Sequence, residues 1–283
     1  MTTDALWLHG ALLPRATARL DPLAHGHLYG AGLYDTILLR HGVPVALDRH
    51  LLRLTRGAAR LGLTAPDKDE VQRALAALSA AHGLHDGRLR ITLSAGPSPN
   101  VHPAAPQENT VLITLAPLAP GKASAALTLT PFRRNEHSPL AGLKHTSCAE
   151  NLLAQRAALT AGADEALFLN TAGQLCEGAF SNIFLITAGT VLTPPLESGC
   201  LPGITREIIL ELCAAHAIPC SPAPLPASGI LTAGELFLTS SLRGVQPVHR
   251  LDDYPFPAPG PLTARLAALY AAWLERTTRS APP

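Results

Sequence analysis

Between Asp164 and Thr193 the chain alternates short apolar runs with turn residues: DEALFLN, the turn Thr171-Ala172-Gly173, Gln174 to Glu177, Asn182 to Thr187 and Val191 to Thr193. Runs this short, rich in Leu, Ile and Phe and separated by Gly, Ala and Asn, read as a series of antiparallel strands. Strands in that number must close or stack to cover their apolar faces and edges, so this half of the chain should form a barrel-like or sandwich domain.

The first half has a different rhythm. Ala5 to Leu13 reads as two strands turning at His9-Gly10, and Tyr34 to Arg40 pairs across His41-Gly42 with Val43 to Leu47. A helix capped by Asp48 runs to about Leu61 with Leu51, Leu54, Ala58 and Leu61 on one stripe, and a second runs from Asp67 to Gly83. Strands Arg88 to Ala95 and Thr110 to Ala116 follow, separated by the proline-rich loop PSPNVHPAAPQEN. PLAPGKAS then reads as an interdomain linker. The expected fold is α/β (α+β) in two domains: a small α/β domain over 1–116, a linker at 117–124 and a larger barrel-like domain over 125–283. A strand at Ala125 to Phe132, helices over Asn151 to Ala161 and Gly203 to Ala217, a strand at Glu235 to Thr239, and a last helix, Leu262 to Arg276, with Leu266, Leu269 and Trp273 inward, complete it.

Several function classes are disfavoured. Twenty-two basic and 21 acidic residues give a formal net charge of +1 with no long single-sign run, so nothing recruits nucleic acid or anionic lipid in bulk. A small-molecule substrate is the better expectation. No stretch of about 18 apolar residues suggests a membrane span, and the N-terminus MTTDALWLHG has neither the basic region nor the apolar core of a signal peptide, so a cytoplasmic protein is expected. Five cysteines without a CxxC pair read as reduced thiols, with no metal site.

The chain has three lysines. Lys68 starts a charged helix and Lys122 lies in the linker, but Lys144 sits in SPLAGLKHTSCAE, behind Pro139-Leu140-Ala141-Gly142-Leu143. Apolar surroundings disfavour an ammonium ion and make the free amine a nucleophile or base, which is Schiff-base chemistry. Taken alone, a lysine that lays its stem on apolar surface with its head in water is the plainer account. Other stretches add to it. Gly203-Ile204-Thr205 opens a helix after Leu201-Pro202, where unpaired N–H groups and the helix dipole suit a phosphate. Thr239, Ser240 and Ser241 put three hydroxyls at a strand end, and Arg53 could hold an anion, although turns and solvated surfaces use the same residues. Glu177 lies among small and apolar residues in LCEGAFSN, where a charge should be paired. His25 to Gly32 has three glycines in seven residues, enough for a tight loop but matching no phosphate-loop pattern.

A nucleophilic lysine, phosphate anchors and an isolated carboxylate are what pyridoxal phosphate requires. The ordered motifs SPLAGLKH, ADEALFLN, CEGAFSNIFL, LPGITRE and ELFLTSSLRGV resemble the class IV, fold-type IV, pyridoxal-phosphate enzymes, a family that includes branched-chain and D-amino acid aminotransferases and 4-amino-4-deoxychorismate lyase. The resemblance implies a small α/β domain and a larger pseudo-barrel domain with the site between them, a homodimer, and pyridoxal 5'-phosphate as cofactor. It implies Lys144 as the catalytic Schiff-base lysine and Glu177 as partner of the pyridine nitrogen. Arg53, Ile204, Thr205 and Thr239 or Ser240 would contact the phosphate, and Leu201 the ring.

The early loop departs from the family's usual DRGFLYGDG-Φ-FET. Here it reads AHGHLYGAGLYDT, with Asp35 where a glutamate is usual, which puts the substrate pocket, to which Tyr29 and Thr36 should contribute, in question. Within the family, RNEHSPLAGLKH followed by TSSLRGVQPV is most similar to 4-amino-4-deoxychorismate lyase, which releases pyruvate and 4-aminobenzoate for folate synthesis; a branched-chain or D-amino acid aminotransferase is the alternative. The lyase substrate carries two carboxylates, so Arg243 with Arg90 or Arg134 are candidate partners.

Overall fold

The computed structural model describes residues 4–100 and 108–279; residues 101–107 of the proline-rich loop lie outside it. The chain forms two compact units, one of Met1–Ala119, Leu143–Ser147 and Arg276–Pro283, the other of Pro120–Gly142 and Cys148–Glu275. The five residues around Lys144 are thus grouped with the N-terminal unit.

In the first unit the chain runs β1 (Ala5–Leu8), β2 (Ala11–Pro14), α1 (His25–Leu28), β3 (Gly32–Arg40), β4 (Val43–Pro44), α2 (Leu47–Leu61), α3 (Lys68–His82), β5 (Gly87–Ala95) and β6 (Asn109–Ala116). Among the described residues these strands form a six-stranded antiparallel sheet in the order β2-β1-β6-β5-β3-β4. Side chains alternate across a strand, so the register divides the sheet into two chemical faces. Leu33, Ile37, Leu39, Leu89, Ile91, Leu93, Ile113 and Leu115 form one core with Leu54 and Ala58 of α2 and Val71, Ala74, Leu75 and Leu78 of α3. Tyr34, Thr36, Arg88, Arg90 and Thr92 occupy the alternate positions on the other face.

Local signals set α3 accurately. Asp67 accepts a hydrogen bond from the Glu70 amide at 2.6 Å, and Gly83 closes the far end in the left-handed region. α2 begins earlier than Asp48 suggests: Ala46, at φ 53°, precedes it, Leu47 is buried in the core, and Asp48 lies in the first turn, where its charge is favourable to the helix dipole. That early start leaves β4 only two residues long, where a strand to Leu47 was expected. The glycine-rich stretch makes one helical turn, His25–Leu28, before its loop.

The second unit comprises β7 (Ala125–Arg134), α4 (Ala149–Thr160), β8 (Glu165–Asn170), β9 (Leu175–Gly178), β10 (Asn182–Thr187), β11 (Thr190–Thr193), α5 (Ile204–Ala215), β12 (Cys220–Pro222), β13 (Glu235–Ser240), β14 (Gly244–Leu251), β15 (Tyr254–Pro255) and α6 (Pro261–Arg279), whose last turn belongs to the first unit. Its sheet, nine-stranded among the described residues, runs β12-β11-β10-β13-β14-β7-β8-β9, with β15 on β14. The expected antiparallel pairing holds within β8–β9 and β10–β11, but β7 is parallel to both β8 and β14, and β11 is parallel to β12. A helix between β7 and β8 permits that parallel return, and β14, unmarked in the sequence reading, separates the two hairpin groups. Leucines and isoleucines of β7, β8, β10, β13 and β14 fill one core.

In α6 the inward stripe is Thr263, Leu266, Tyr270 and Leu274, so Leu266 is inside as expected whereas Leu269 and Trp273 flank it. The reason lies outside the helix: Glu235 accepts hydrogen bonds from the Leu262 and Thr263 amides at 3.0 and 2.7 Å, which fixes the rotation of its first turn.

Candidate active site

The Lys144 segment is tied to the edge of the glycine loop. The Tyr34 amide donates to the Lys144 carbonyl at 2.9 Å, the Thr146 amide donates to the Gly32 carbonyl at 2.9 Å, and Leu33 bridges His145. The hydroxyls of Thr146 and Ser147 both donate to the Gly30 carbonyl. A Cβ at Gly32 would stand 2.5 Å from the Leu93 carbonyl oxygen, so glycine is required there. The glycines therefore seat the lysine segment. The half-buried Lys144 Nζ rests 4.7 Å from the centroid of the Tyr34 ring, and the Arg90 guanidinium lies 3.9 Å from the same centroid. Thr36 pairs with Arg90 in register on that face, and the Arg90 Nε donates to the Thr92 hydroxyl at 3.3 Å. Arg88, which sequence reading passed over, occupies the same face two residues before Arg90; strand alternation was the signal that could have found it. Tyr29 is 54% exposed and packs edge-on against His25.

Arg53 reaches from α2 to the opposite, core-lined face. Its Nε and Nη2 donate to the two oxygens of Asp35 at 3.1 and 2.8 Å, and His50 Nδ1 lies 2.7 Å from the same carboxylate. Burial pushes the Asp35 carboxyl upward, but the charges and hydrogen bonds of Arg53 and His50 outweigh it and hold the group well below the usual carboxylate range. Asp35, one of the departures of the early loop, is thus the seat of Arg53. Its direction follows from β3 alternation, which turns it away from Tyr34 and Thr36.

In the second unit, Glu177 is the next-to-last residue of β9. Its Oε2 accepts from the Leu201 amide at 2.8 Å and its Oε1 forms an ion pair with Arg134 Nε at 3.4 Å, both side chains 12% exposed. Arg134 also stacks on Phe168 and donates to Glu150 and Asn151. Sequence reading offered it as a substrate ligand; here it neutralises Glu177. Cys176 and Cys200 flank this carboxylate, and burial together with its charge raises both thiols, Cys200 to about 11, so they stay protonated packing groups.

Leu201 leads onward: its carbonyl accepts from Asn182 Nδ2 at 2.9 Å, and Asn182 stands opposite Thr239 in the β10–β13 register. A Cβ at Gly203, the residue before α5, would overlap the Asn182 Oδ1 atom, so glycine lets the helix start approach this strand. No side chain caps α5, which packs against β13, leaving its first amides and dipole for an anion. Ile204 and Thr205 are buried at that start. Thr239 is 2% exposed and its Oγ1 is buried without a hydrogen-bond partner. An orphaned hydroxyl beside an uncapped helix start is what a bound phosphate would satisfy, so the residues fit that group. Ser240 Oγ accepts from the Arg243 amide and Nε at 3.4 and 3.2 Å, and Arg243 itself is held by Glu165 and Gln246 at 2.7 and 2.9 Å.

Residues 32–251 match the family model described as amino-transferase class IV. The chain is 31% identical to a probable branched-chain-amino-acid aminotransferase of Thermotoga maritima, over 92% of this chain and 93% of that protein. It is 29% identical to the aminodeoxychorismate lyase of Bacillus subtilis, over 94% and 93%. The crystal structure of 4-amino-4-deoxychorismate lyase from Pseudomonas aeruginosa superposes with a TM-score of 0.81 at 30% identity, covering 93% of this chain and 97% of that one. With the match spanning β3 to β14, the chain belongs to the class IV amino-transferases, a family of pyridoxal-phosphate-dependent enzymes.

Proposed function

We propose that the chain is a 4-amino-4-deoxychorismate lyase that forms 4-aminobenzoate and pyruvate. The observation carrying this reading is the polar face of the first sheet, where Lys144 and Arg90 share the Tyr34 ring and Arg88 and Thr36 lie alongside in register. A substrate with two carboxylates finds cations there, next to the reacting amine.

In this reading Lys144 would hold the cofactor through its amine and would be the base that takes the proton from the substrate carbon bearing the amine. Pyridoxal phosphate supplies an electron sink through its protonated pyridine ring. Glu177 would keep that nitrogen protonated, its own charge held in place by Arg134 and the Leu201 amide. Leu201 would pack on the ring. Arg53, Ile204, Thr205, Thr239 and Ser240 would hold the phosphate, with Asp35 and His50 aiming Arg53. Tyr29, Thr36 and Arg90 would meet the substrate, while the engagement of Arg243 with Glu165 supports a supporting role over direct contact.

The reading carries with it a cytoplasmic homodimer in folate synthesis; Leu152, Leu153 and Leu159 of α4, all more than half exposed, are apolar side chains a second copy would cover. Among the described residues no helix is long and apolar enough to cross a membrane. A branched-chain or D-amino acid aminotransferase is the second reading, favoured by the Thermotoga relative. Incubation with 4-amino-4-deoxychorismate should release 4-aminobenzoate and pyruvate in equal amounts without a keto-acid acceptor. Formation of glutamate from 2-oxoglutarate in place of that release would decide for the aminotransferase.

A further inference from the structure

Glu165, the first residue of β8, is a buried carboxylate that none of the proposed cofactor or substrate contacts uses. Its Oε1 accepts from the Phe180 amide and the Ser181 hydroxyl, each at 2.7 Å, and its Oε2 pairs with Arg243 Nη2 at 2.7 Å. These partners belong to two different loops. Phe180 and Ser181 lie in the loop that follows Gly178, the last residue of β9 and the neighbour of Glu177, and Arg243 lies in the turn between β13 and β14, which follows Thr239 and Ser240.

Both loops are closely fitted to this one carboxylate. A Cβ at Gly178 would come 2.5 Å from Glu165 Oε1 and 2.4 Å from Ser181 Oγ, so the glycine of CEGAFSN exists to let the loop close over Glu165. On the other side Arg243 spends its Nη2 on Glu165, its Nη1 on Gln246 and its Nε on Ser240 Oγ, and the Gln246 amide nitrogen donates to the Lys122 carbonyl at 3.1 Å. Because Ser240 Oγ accepts from both the Arg243 amide and Nε, its own proton is directed away from Arg243. The arrangement is an ion pair with a buried carboxylate and a half-buried guanidinium, each bonded to further partners, so that removing either member breaks more than one contact.

We propose that Glu165, acting through Arg243 on one side and Phe180–Ser181 on the other, is a positioning residue that sets the spacing between the pyridine-nitrogen end and the phosphate end of the cofactor seat. This rests on the pyridoxal phosphate reading above. Neither Glu165 nor Arg243 then needs to touch the cofactor. Their joint effect is to hold the Glu177 loop and the Thr239–Ser240 strand end in one rigid frame before binding, so that binding itself orders less.

The test uses the full-length protein, freed of cofactor, as wild type, Glu165→Gln and Arg243→Gln, titrated separately with pyridoxal 5'-phosphate and with pyridoxal, which lacks the phosphate. Glu165→Gln should weaken binding of both probes by about tenfold or more, the scale of an outer-shell loss, and shift the visible absorbance maximum of the bound cofactor. Arg243→Gln should weaken pyridoxal phosphate similarly while leaving pyridoxal within about twofold, because only the phosphate end is released. Both affinities within about twofold of wild type, in variants whose circular dichroism shows the native fold, would overturn the proposal. Should Glu165→Gln fail to fold, Arg243→Gln decides alone: an unchanged preference for the phosphorylated probe overturns it. Wild type that binds neither probe would sink the cofactor reading itself, an outcome distinguishable from failure of the Glu165 variants against a binding wild type.

Discussion

The two charged regions of this molecule are built on different principles. On the polar face of the first sheet, Arg90 and Lys144 lie against the Tyr34 ring, half-buried, with Arg88 exposed nearby. In the second unit Glu177 and Glu165 are nearly or fully buried, each held by a backbone amide and an arginine. A cation on an exposed aromatic face contributes about 0.5–1 kcal/mol, whereas breaking a buried pair costs about 3–5 kcal/mol. Substitutions in the first region should therefore appear in kinetics with little change in stability, and substitutions in the second should appear in both.

Lys144→Ala gives the sharpest contrast. Turnover should fall by about 10⁴-fold and borohydride should no longer trap cofactor, while the unfolding midpoint in urea stays close to that of wild type. A large loss of stability would mean that this lysine is a packing group.

Asp35→Asn probes the exception, a buried charge cluster in the first unit. It leaves Arg53 and His50 with a neutral partner and should cost about 3–5 kcal/mol in urea unfolding at neutral pH. The sign of the pH dependence follows from the depressed carboxyl: its contribution is complete above the ordinary aspartate range and is lost as pH falls below about 4 toward the folded-state value. The wild type should lose stability on that acid limb and Asp35→Asn should lose less, so parallel acid limbs would remove Asp35 from the account.

Arg134→Met comes next, because Glu177 keeps its bond from Leu201 but loses its cation. A stability loss of about 3 kcal/mol should come with a change in the absorbance of the bound cofactor, and a stability loss without the spectral change would separate Arg134 from the pyridine end. Arg90→Met should have the smallest effect on free energy: KM for the substrate rises about tenfold, the worth of one charged hydrogen bond, with kcat and the unfolding midpoint little altered. An effect on kcat alone would place the substrate carboxylate elsewhere.

Much of this was legible where the signal is local. The limits of α3 follow from Asp67 and Gly83 because an N-cap and a left-handed glycine act within one helical turn. Lys144, Glu177 and the Gly203–Thr205 start stand out because their residue types conflict with, or exceed, what their neighbours need. Less was legible where meaning depends on a partner. Arg53 could be named as an anion ligand, but Asp35, 18 positions away, could not be named as its seat before β3 was laid against α2. Glu165 lies in a stretch that reads only as a strand, and its role depends on two loops brought to it by separate strands.

The sequence by itself determined the two-part fold, the element limits set by local caps and turns, and the motifs that mark the family. The tertiary structure alone decided which face each charge occupies, that β7 runs parallel to its neighbours, and that Arg134 and Arg243 serve carboxylates of their own chain. The reason is physical: hydrophobic period and capping act between residues a few positions apart, while the pairing of a buried charge depends on sheet register, which joins residues with no fixed spacing along the chain.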